Sequence, residues 1–316
     1  MIGRKQNKHR GELKKMENFK LTTPVAFLIF NRPDTTKEVF ERIREAKPEK
    51  LYLISDAPRE GREDDMEKVA ETRRYVEMHI DWDCKVYKNY AEKNMGCRDR
   101  VSSGITWVLS QETRAIFLED DIVPLPEFFR FCQEMLDAYE DNPRVMMVSG
   151  LNLVRKHKMD TPYTFSCFSS IWGWATWRRA WEKYDVNVAD WPELKKAGTL
   201  KKVQSGFSYL FMKRNVERVY TKKLDTWDIQ WDYCRHKHRG LGIVPRENLI
   251  CNIGFNREDA THTKEGSDED FSYGTMHFPM EKNVPVRRDV EYDKAYIRKY
   301  FGIKKVVNII KKAVKK

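Results

Sequence analysis

Short apolar runs alternate with helix-forming segments through the first half of this chain, and that alternation most constrains its fold. The run VAFLIF at residues 25–30 is continuously apolar, as in a fully buried strand, and a helical pattern follows it. The runs at 51–55 and 115–118 repeat the arrangement after further helical segments, one of them near residues 101–109. This spacing predicts an α/β fold with a mixed, mostly parallel sheet and helices on both faces. Residues 168–185 are predicted to form a loop followed by a helix.

Charged side chains follow three of the predicted strands at their carboxyl ends, where open α/β sheets bind ligands. They are Arg32, Asp56 and the acidic triplet of Glu119, Asp120 and Asp121. The sequence therefore predicts a binding site at this edge of the sheet.

The net charge of +11 is concentrated at the two ends of the 316-residue chain. Residues 1–20 contribute +5 and residues 303–316 contribute +6, so the body between them is formally neutral. A basic groove for nucleic acid within the body is therefore not expected. We predict a basic extension over 1–22, one folded domain over 23–285 and a basic amphipathic segment over 286–316.

The cysteine pattern and the hydropathy predict a cytoplasmic protein. The six cysteines show no CxxC spacing, which favours reduced thiols over a disulfide framework. No apolar signal segment follows the basic N-terminus, and no uncharged apolar stretch approaches 18 residues. We therefore expect neither a secreted nor a membrane-spanning chain.

The acidic triplet at 119–121 suits a hard divalent cation, which commonly takes one or two carboxylates together with substrate phosphates. Neighbouring side chains on an extended strand point to opposite faces, so all three acids cannot bind one metal. The alternative is that Asp120 and Asp121 are solvated loop acids before the next helix.

Four segments, in order, resemble GT-A glycosyltransferases, and in particular the inverting N-acetylglucosaminyltransferase I-like family, whose metal motif is Glu-Asp-Asp. They are FLIFNRPDTTKEVFERI, LYLISD, IFLEDDIVPLPEFFRF and IWGWATWRRAWEKYD, and WDIQWDY follows the last of them. The resemblance covers about residues 24–262.

The resemblance implies a role for each charged residue at the sheet edge. Asp121 would ligate Mn²⁺ or Mg²⁺ at the diphosphate of a nucleotide sugar, UDP-sugar being expected, while Asp120 would hold the ribose and Glu119 would approach the donor sugar. Arg32 and Asp56 would contact the nucleotide. Without the resemblance, these last two read equally well as a surface arginine and a helix-capping aspartate.

Inverting transfer requires a carboxylate that takes the proton from the acceptor hydroxyl. By the same resemblance Asp228 would be this base, with Asp225 and Asp232 as nearby rivals. On a helix Asp228 shares a face with Trp231, which would place the base beside an aromatic sugar platform. Each of the three acids is also acceptable as a solvated acid at a helix end.

Two further groups of residues are candidates for the site. Trp172 and Trp174 flank Gly173 in a segment with four tryptophans in ten positions, and we expect them to line the sugar site. Tryptophans at such density are otherwise typical of a core. His262 is a candidate further metal ligand and His277 a weaker one, although a lone histidine is more often structural.

The segment at 303–316 places its apolar residues along one helical stripe and all six lysines opposite. This pattern is typical of a helix lying in the surface of an anionic membrane, and equally of a terminal helix docked on its own domain. The absence of acids from the polar face favours the membrane, where each basic residue contributes roughly 1 kcal/mol.

Together these features predict a metal-dependent inverting glycosyltransferase on the inner face of the plasma membrane. It would transfer a sugar to a hydroxyl of a cell-surface glycan or lipid-linked acceptor. A nucleotidyltransferase or phosphohydrolase is the first alternative, although a nucleotidyltransferase would be expected to carry a Gly-rich loop after the first strand, and NRPDTT has none. A non-enzymatic membrane-binding protein is the second.

Overall fold

A computed structural model describes residues 19–255, 274–281 and 284–302. Within these ranges it confirms the predicted α/β fold, a single domain with a mostly parallel central sheet and flanking helices. His262 and the segment 303–316 lie outside the described residues. None of the described helices is long and apolar enough to cross a membrane.

The strands and helices follow one another in a regular alternation as far as β6. The strands are β1 (Val25–Ile29), β2 (Lys50–Ser55), β3 (Lys85–Tyr90), β4 (Arg114–Glu119), β5 (Ile122–Pro124), β6 (Val145–Ser149), β7 (Tyr163–Ser166), β8 (Trp174–Trp177), β9 (Leu241–Pro245) and β10 (Ile250–Asn252). The helices are α1 (Pro33–Ala46), α2 (Glu63–Met78), α3 (Gly96–Gln111), α4 (Pro126–Ala138), α5 (Arg178–Trp181), α6 (Trp191–Lys196), α7 (Gly206–Tyr220), α8 (Asp228–Lys237) and α9 (Val290–Phe301). A 3-10 turn covers Thr199–Lys202.

Eight strands form one sheet in the order β3-β2-β1-β4-β8-β6-β9-β7. The first four are parallel, with Phe27 of β1 in register with Leu53 and Leu118 on either side. Strand β8 runs antiparallel between β4 and β6, and β7 runs antiparallel to β9 at the edge. Strands β5 and β10 form a separate antiparallel pair.

Both faces of the sheet are buried, as the continuous apolar runs predict. In β1, Val25, Phe27 and Ile29 pack with α1, α2 and α4, whereas Ala26 and Leu28 pack with α3, α5 and α8 on the other face. Each fully buried large apolar side chain contributes about 1.5–3 kcal/mol, so these two layers fix the strand ends that carry the candidate site.

Strand β8 differs from the expectation of a loop followed by a helix over residues 168–185. Residues 174–177 form this strand, in which Trp174 pairs with Phe117 of β4, and α5 begins only at Arg178. The pairing partners are distant in sequence, so local periodicity could not reveal the strand.

Candidate active site

The acidic triplet spans the end of β4 and the turn that follows. Glu119 is the last residue of β4, and Asp120 and Asp121 form a turn into β5. The backbone N–H of Ile253 donates to the Asp121 carbonyl at 2.9 Å and joins this turn to the end of β10. Because Asp120 and Asp121 lie in a turn and not on the strand, the alternation expected of three acids on an extended strand does not apply.

Arg32 supplies positive charge to two of the three acids. Its Nη1 lies 3.0 Å from Asp121 Oδ2 and 3.6 Å from Asp120 Oδ1. The backbone N–H of Phe30 also donates to Asp120 Oδ2 at 3.3 Å, and Asp120 is only 8% exposed. The alternative of solvated loop acids therefore does not fit Asp120 and Asp121, which are paired and largely buried.

Glu119 is in a different environment from its two neighbours. The residue is half-buried, and its Oε1 atom is fully buried without a hydrogen-bond partner in the described structure. Burial, and then the charges of Asp121, Asp120 and Asp228, raise the pKa of Glu119 to about 8. At neutral pH this carboxyl therefore retains a proton for most of the time.

Asp56 lies at the end of β2 and holds the start of α3. Its carboxylate accepts from the backbone N–H groups of Ala57 and Met95 at 2.9 Å and of Gly96 at 3.0 Å. These bonds satisfy donors that the first turn of a helix leaves unpaired. The contacts support the helix-capping interpretation, and they explain why α3 begins at Gly96, earlier than the predicted start near residue 101.

Asp228 is the first residue of α8. Its Oδ1 accepts from Ile229 N at 2.8 Å and from the Thr226 hydroxyl, while Oδ2 accepts no hydrogen bond from the described residues. Burial raises the pKa of Asp228, against the lowering effect of the Thr226 hydroxyl. A carboxylate with a raised pKa and one free oxygen is suited to accept a proton.

The two rival acids differ from Asp228 in their surroundings. Asp225 is exposed and accepts from the Arg98 backbone N–H at 3.1 Å. Asp232 forms an ion pair with Arg235, Nη2 to Oδ1 at 2.5 Å. The charge of Asp228 contributes to the raised pKa of Glu119.

Four of the candidate acids act electrostatically on Cys97, a residue that no sequence motif indicated. Burial raises the pKa of its thiol to about 12, and the next contributions come from Glu119, Asp228, Asp225 and Asp56. These carboxylates belong to the ends of β2 and β4 and to the region where α8 begins. No local motif predicts this role for Cys97, because the acids around it come from distant parts of the chain.

The two tryptophans expected to line a sugar site have different positions. Trp172 is half-buried, with its ring edge-on to Phe255 at 5.3 Å. Trp174 is 2% exposed and stacks on Phe117 and Trp227, so it is a core residue that offers no surface to a ligand. Trp231 is likewise 0% exposed, and the expected sugar platform beside Asp228 is therefore not present.

Trp174, Trp181, Trp227 and Trp231 form one aromatic cluster, with ring centroids 5.1 to 6.4 Å apart. The cluster joins β8 and α5 to the start of α8. Trp227 immediately precedes Asp228, so burial of the cluster fixes the backbone that presents this acid. The closely spaced tryptophans thus form a core that holds the candidate base in position.

The carboxylate oxygens of Asp121 are ligands of the kind that a hard cation prefers. No three His, Cys, Asp or Glu side chains in the described ranges are placed to hold a metal together. Gly254 leaves room at the carboxylate, because an added Cβ would lie 2.1 Å from Asp121 Oδ2 and 3.1 Å from Asn252 Oδ1. Mg²⁺ commonly takes one or two carboxylates with substrate phosphates, and Asp121 fits such a site.

The two candidate histidines remain unassigned to the site. His277 is exposed, and its ligand role also stays a prediction. His262 lies outside the described residues, so its proposed ligand role stays a prediction.

Comparison with known proteins identifies no family. No protein-family model and no curated protein matches the chain. A solved structure of UDP-glucose pyrophosphorylase complexed with UDP-glucose shows 9% identity and a TM-score of 0.30, over 51% of this chain and 78% of that one. A similarity this low carries no inference about activity.

Proposed function

We propose that this protein is an inverting glycosyltransferase that moves a sugar from a nucleotide sugar, a UDP-sugar being our expectation, to an acceptor hydroxyl. The observation that carries the proposal is the convergence at one sheet edge of the Arg32–Asp121 pair with Glu119 and Asp228. A charged pair suited to a diphosphate thereby adjoins a carboxylate suited to proton abstraction. Metal-dependent inverting transfer from a nucleotide sugar uses both kinds of group.

Asp121 would hold a divalent cation, Mn²⁺ or Mg²⁺, together with the donor diphosphate. Such a cation neutralises the charge that develops on the leaving group without a proton transfer. Arg32 lies against the same carboxylate and would add a second positive group beside the phosphates. Asp120 would contact the ribose, and we retain Asp56 as a proposed nucleotide contact through its position at the end of β2.

Asp228 would accept the proton of the acceptor hydroxyl as that oxygen forms its bond to the anomeric carbon. The bond from this carbon to the diphosphate oxygen breaks in the same displacement, which inverts the configuration. Glu119 would contact the donor sugar, and Trp172 would offer its exposed part to the sugar ring. Trp174 would act only through the core that supports these groups.

The first test is nucleotide release from UDP-, GDP- and dTDP-sugars, with Mn²⁺ and with chelator, by the parent and Asp121→Ala. Metal-dependent release of a nucleoside diphosphate from one donor, lost in the variant, supports the proposal and identifies the nucleotide. Release of a nucleoside monophosphate together with a sugar 1-phosphate would indicate a phosphohydrolase instead, and formation of a nucleoside triphosphate when pyrophosphate is added would indicate a nucleotidyltransferase.

If no nucleotide is released, donor binding must be measured separately, because some transferases do not cleave the donor until the acceptor is bound. Metal-dependent donor binding by calorimetry, abolished in Asp121→Ala, would keep the site assignment. Absence of both release and binding across the panel would favour the non-enzymatic alternative.

We also propose that the protein attaches to an anionic membrane surface through residues 303–316, close to a glycan or lipid-linked acceptor. An apolar patch on α7 supports this, since Phe207, Leu210 and Phe211 are 48%, 53% and 51% exposed. The ring of Phe211 lies 5.4 Å from that of Phe301, two residues before the basic segment begins. Exposed apolar patches of this kind mark contact with proteins or membranes.

A further inference from the structure

A cavity of about 320 Å³ lies away from the acidic cluster, and its lining is strongly basic. Four of its eight lining residues are Arg144, Lys202, Arg239 and Arg288, and none is acidic. A cavity of this size is at the lower end of the range that holds small ligands.

The cavity opens at the edge of the sheet opposite the candidate active site. Arg144 immediately precedes β6 and Leu241 begins β9, whereas Glu119 ends β4. Strands β6 and β9 run in the same direction as β4, because β8 is antiparallel to both β4 and β6. The length of a strand, roughly 17–20 Å, therefore separates the cavity from the acids, and its occupant cannot share their chemistry.

The basic side chains of the cavity are poorly compensated by acids. Arg288 pairs with Asp293, whose carboxylate also accepts from Ser166 and Cys167. The Arg144 side chain donates from Nη1 to the backbone carbonyl of Val286, at 3.1 Å. No carboxylate within the described residues pairs with Arg144, Lys202 or Arg239.

A further positive charge lies behind the lining. Arg235 is 0% exposed; its Nη2 pairs with Asp232, while its Nε and Nη1 atoms have no hydrogen-bond partner in the described structure. Its charge acts on the thiol of Cys167, which lines the cavity. Arg144, Lys202 and Arg239 are exposed around the cavity, and cations grouped in this way create a positive potential that an anion would relieve.

We propose that this cavity binds the phosphate group of a small phosphorylated ligand, with Lys202 and Arg239 as its principal donors. Guanidinium and ammonium groups are the side chains that recognise phosphate in proteins. Because the cavity lies at the far edge of the sheet, the ligand is an effector or an anchor and not a substrate of the acidic cluster. The inference does not depend on the proposed glycosyl transfer.

Calorimetric titration of the full-length protein with pyrophosphate, at constant ionic strength, tests the cavity directly. The titration is made in an Asp121→Ala background, so that diphosphate binding at the acidic cluster does not contribute. We expect saturable binding of one equivalent, weakened at least tenfold by combining Lys202→Gln with Arg239→Asn. Asparagine suits position 239 because Arg239 has a φ of +54°.

A matched double variant, Arg42→Gln with Lys68→Gln, removes the same charge from exposed helical ion pairs with Glu45 and Asp64. It should bind pyrophosphate like the parent. A parallel titration with glycerol 3-phosphate, a soluble lipid headgroup with no membrane to bind residues 303–316, asks whether the phosphate belongs to a lipid headgroup, and binding that is lost only in the cavity variant supports the same site. No saturable binding of either probe, or equal weakening by both double variants, overturns the proposal.

Discussion

Arg32 and Glu119 divide the acidic triplet into two chemically different parts. Asp120 and Asp121 share the guanidinium of Arg32, which offsets one of their two negative charges. For Glu119, burial and the neighbouring acids outweigh the lowering effect of Arg32, and its pKa is raised so that it holds a proton. Three adjacent acids are therefore compatible in one fold because only two of them need to be charged at neutral pH.

Replacement of Asp228 by Asn should abolish proton transfer while leaving donor binding in place. General base catalysis contributes about 10²–10⁴-fold, so we expect kcat to fall by this factor with little change in donor Kd. Steady-state transfer and calorimetry measure the two quantities. Asp225→Asn is the matched control, since Asp225 is exposed, and a larger loss there than in Asp228→Asn would transfer the role of base to Asp225.

The pH profile of transfer should depend on Thr226. The base acts as a carboxylate, so kcat/KM is lost as the pH falls through its pKa, which lies above the usual 3.8. The Thr226 hydroxyl lowers this pKa, so Thr226→Val should move the acid limb to higher pH. An unchanged acid limb in Thr226→Val would show that another group controls it.

His236 should make the protein less stable in mild acid. Its Nε2 lies 3.0 Å from the Cys167 carbonyl and its Nδ1 3.1 Å from Gln204 Nε2, and burial lowers its pKa from 6.5 to about 3. Because the folded pKa lies below the unfolded one, the unfolded chain binds the extra proton and stability falls as the pH drops below 6.5. The loss between pH 7 and pH 5 should be about 2 kcal/mol in urea unfolding. His236→Gln should lose correspondingly less over that interval.

At the scale of elements, the sequence predicted those strands and helices that are determined by residues close together in the chain. The buried run of β1 and the helical spacing of α1 identify both elements, and the acids after β4 lie at the carboxyl end of that strand, as expected. Strand β8 and the early start of α3 were not predictable, because a distant strand and Asp56 determine them. The assignment of Trp174 to a sugar site was not supported for the same reason: its burial depends on Phe117 and Trp227.

Gly173 should be required where β8 meets the β5–β10 pair. Its φ is +58°, and an added Cβ would lie 2.7 Å from Ile250 Cγ2 and 3.3 Å from Ile122 Cγ2. Gly61 is the control, since its φ is +73° but no atom lies within 4 Å of its Cβ position. Alanine at position 61 should cost about 1–2 kcal/mol of unfolding free energy, and at position 173 about 1–3 kcal/mol more. Equal losses in urea denaturation would show that β5 and β10 yield to the new methyl group.

For the whole molecule, the two edges of the sheet carry opposite electrostatics. The acids of β2, β4 and α8 gather at one edge, and the basic cavity opens at the other. The overall charge of +11 reveals neither, since residues 1–20 and 303–316 account for all of it. Local clusters within a formally neutral body therefore determine what each edge can bind.

Membrane attachment should require both residues 303–316 and the apolar patch of α7. Replacing Phe207, Leu210 and Phe211 with Ser should weaken sedimentation with anionic vesicles by about tenfold or more, because half-exposed apolar area is lost. Deleting residues 303–316 should weaken it further at low salt. Met66→Ser with Met78→Ser is the control, since these methionines are 65% and 74% exposed elsewhere. Unchanged sedimentation after both the triple replacement and the deletion would contradict the proposal.

The aromatic cluster beside Asp228 also gives the protein an optical property. Trp174, Trp181, Trp227 and Trp231 lie close enough for their indoles to exchange excitation, and they account for four of the nine tryptophans. Intrinsic emission therefore reports on the backbone that carries the candidate base. A donor or acceptor that shifts the start of α8 should change the emission of the unlabelled protein, so binding can be followed before any product is known.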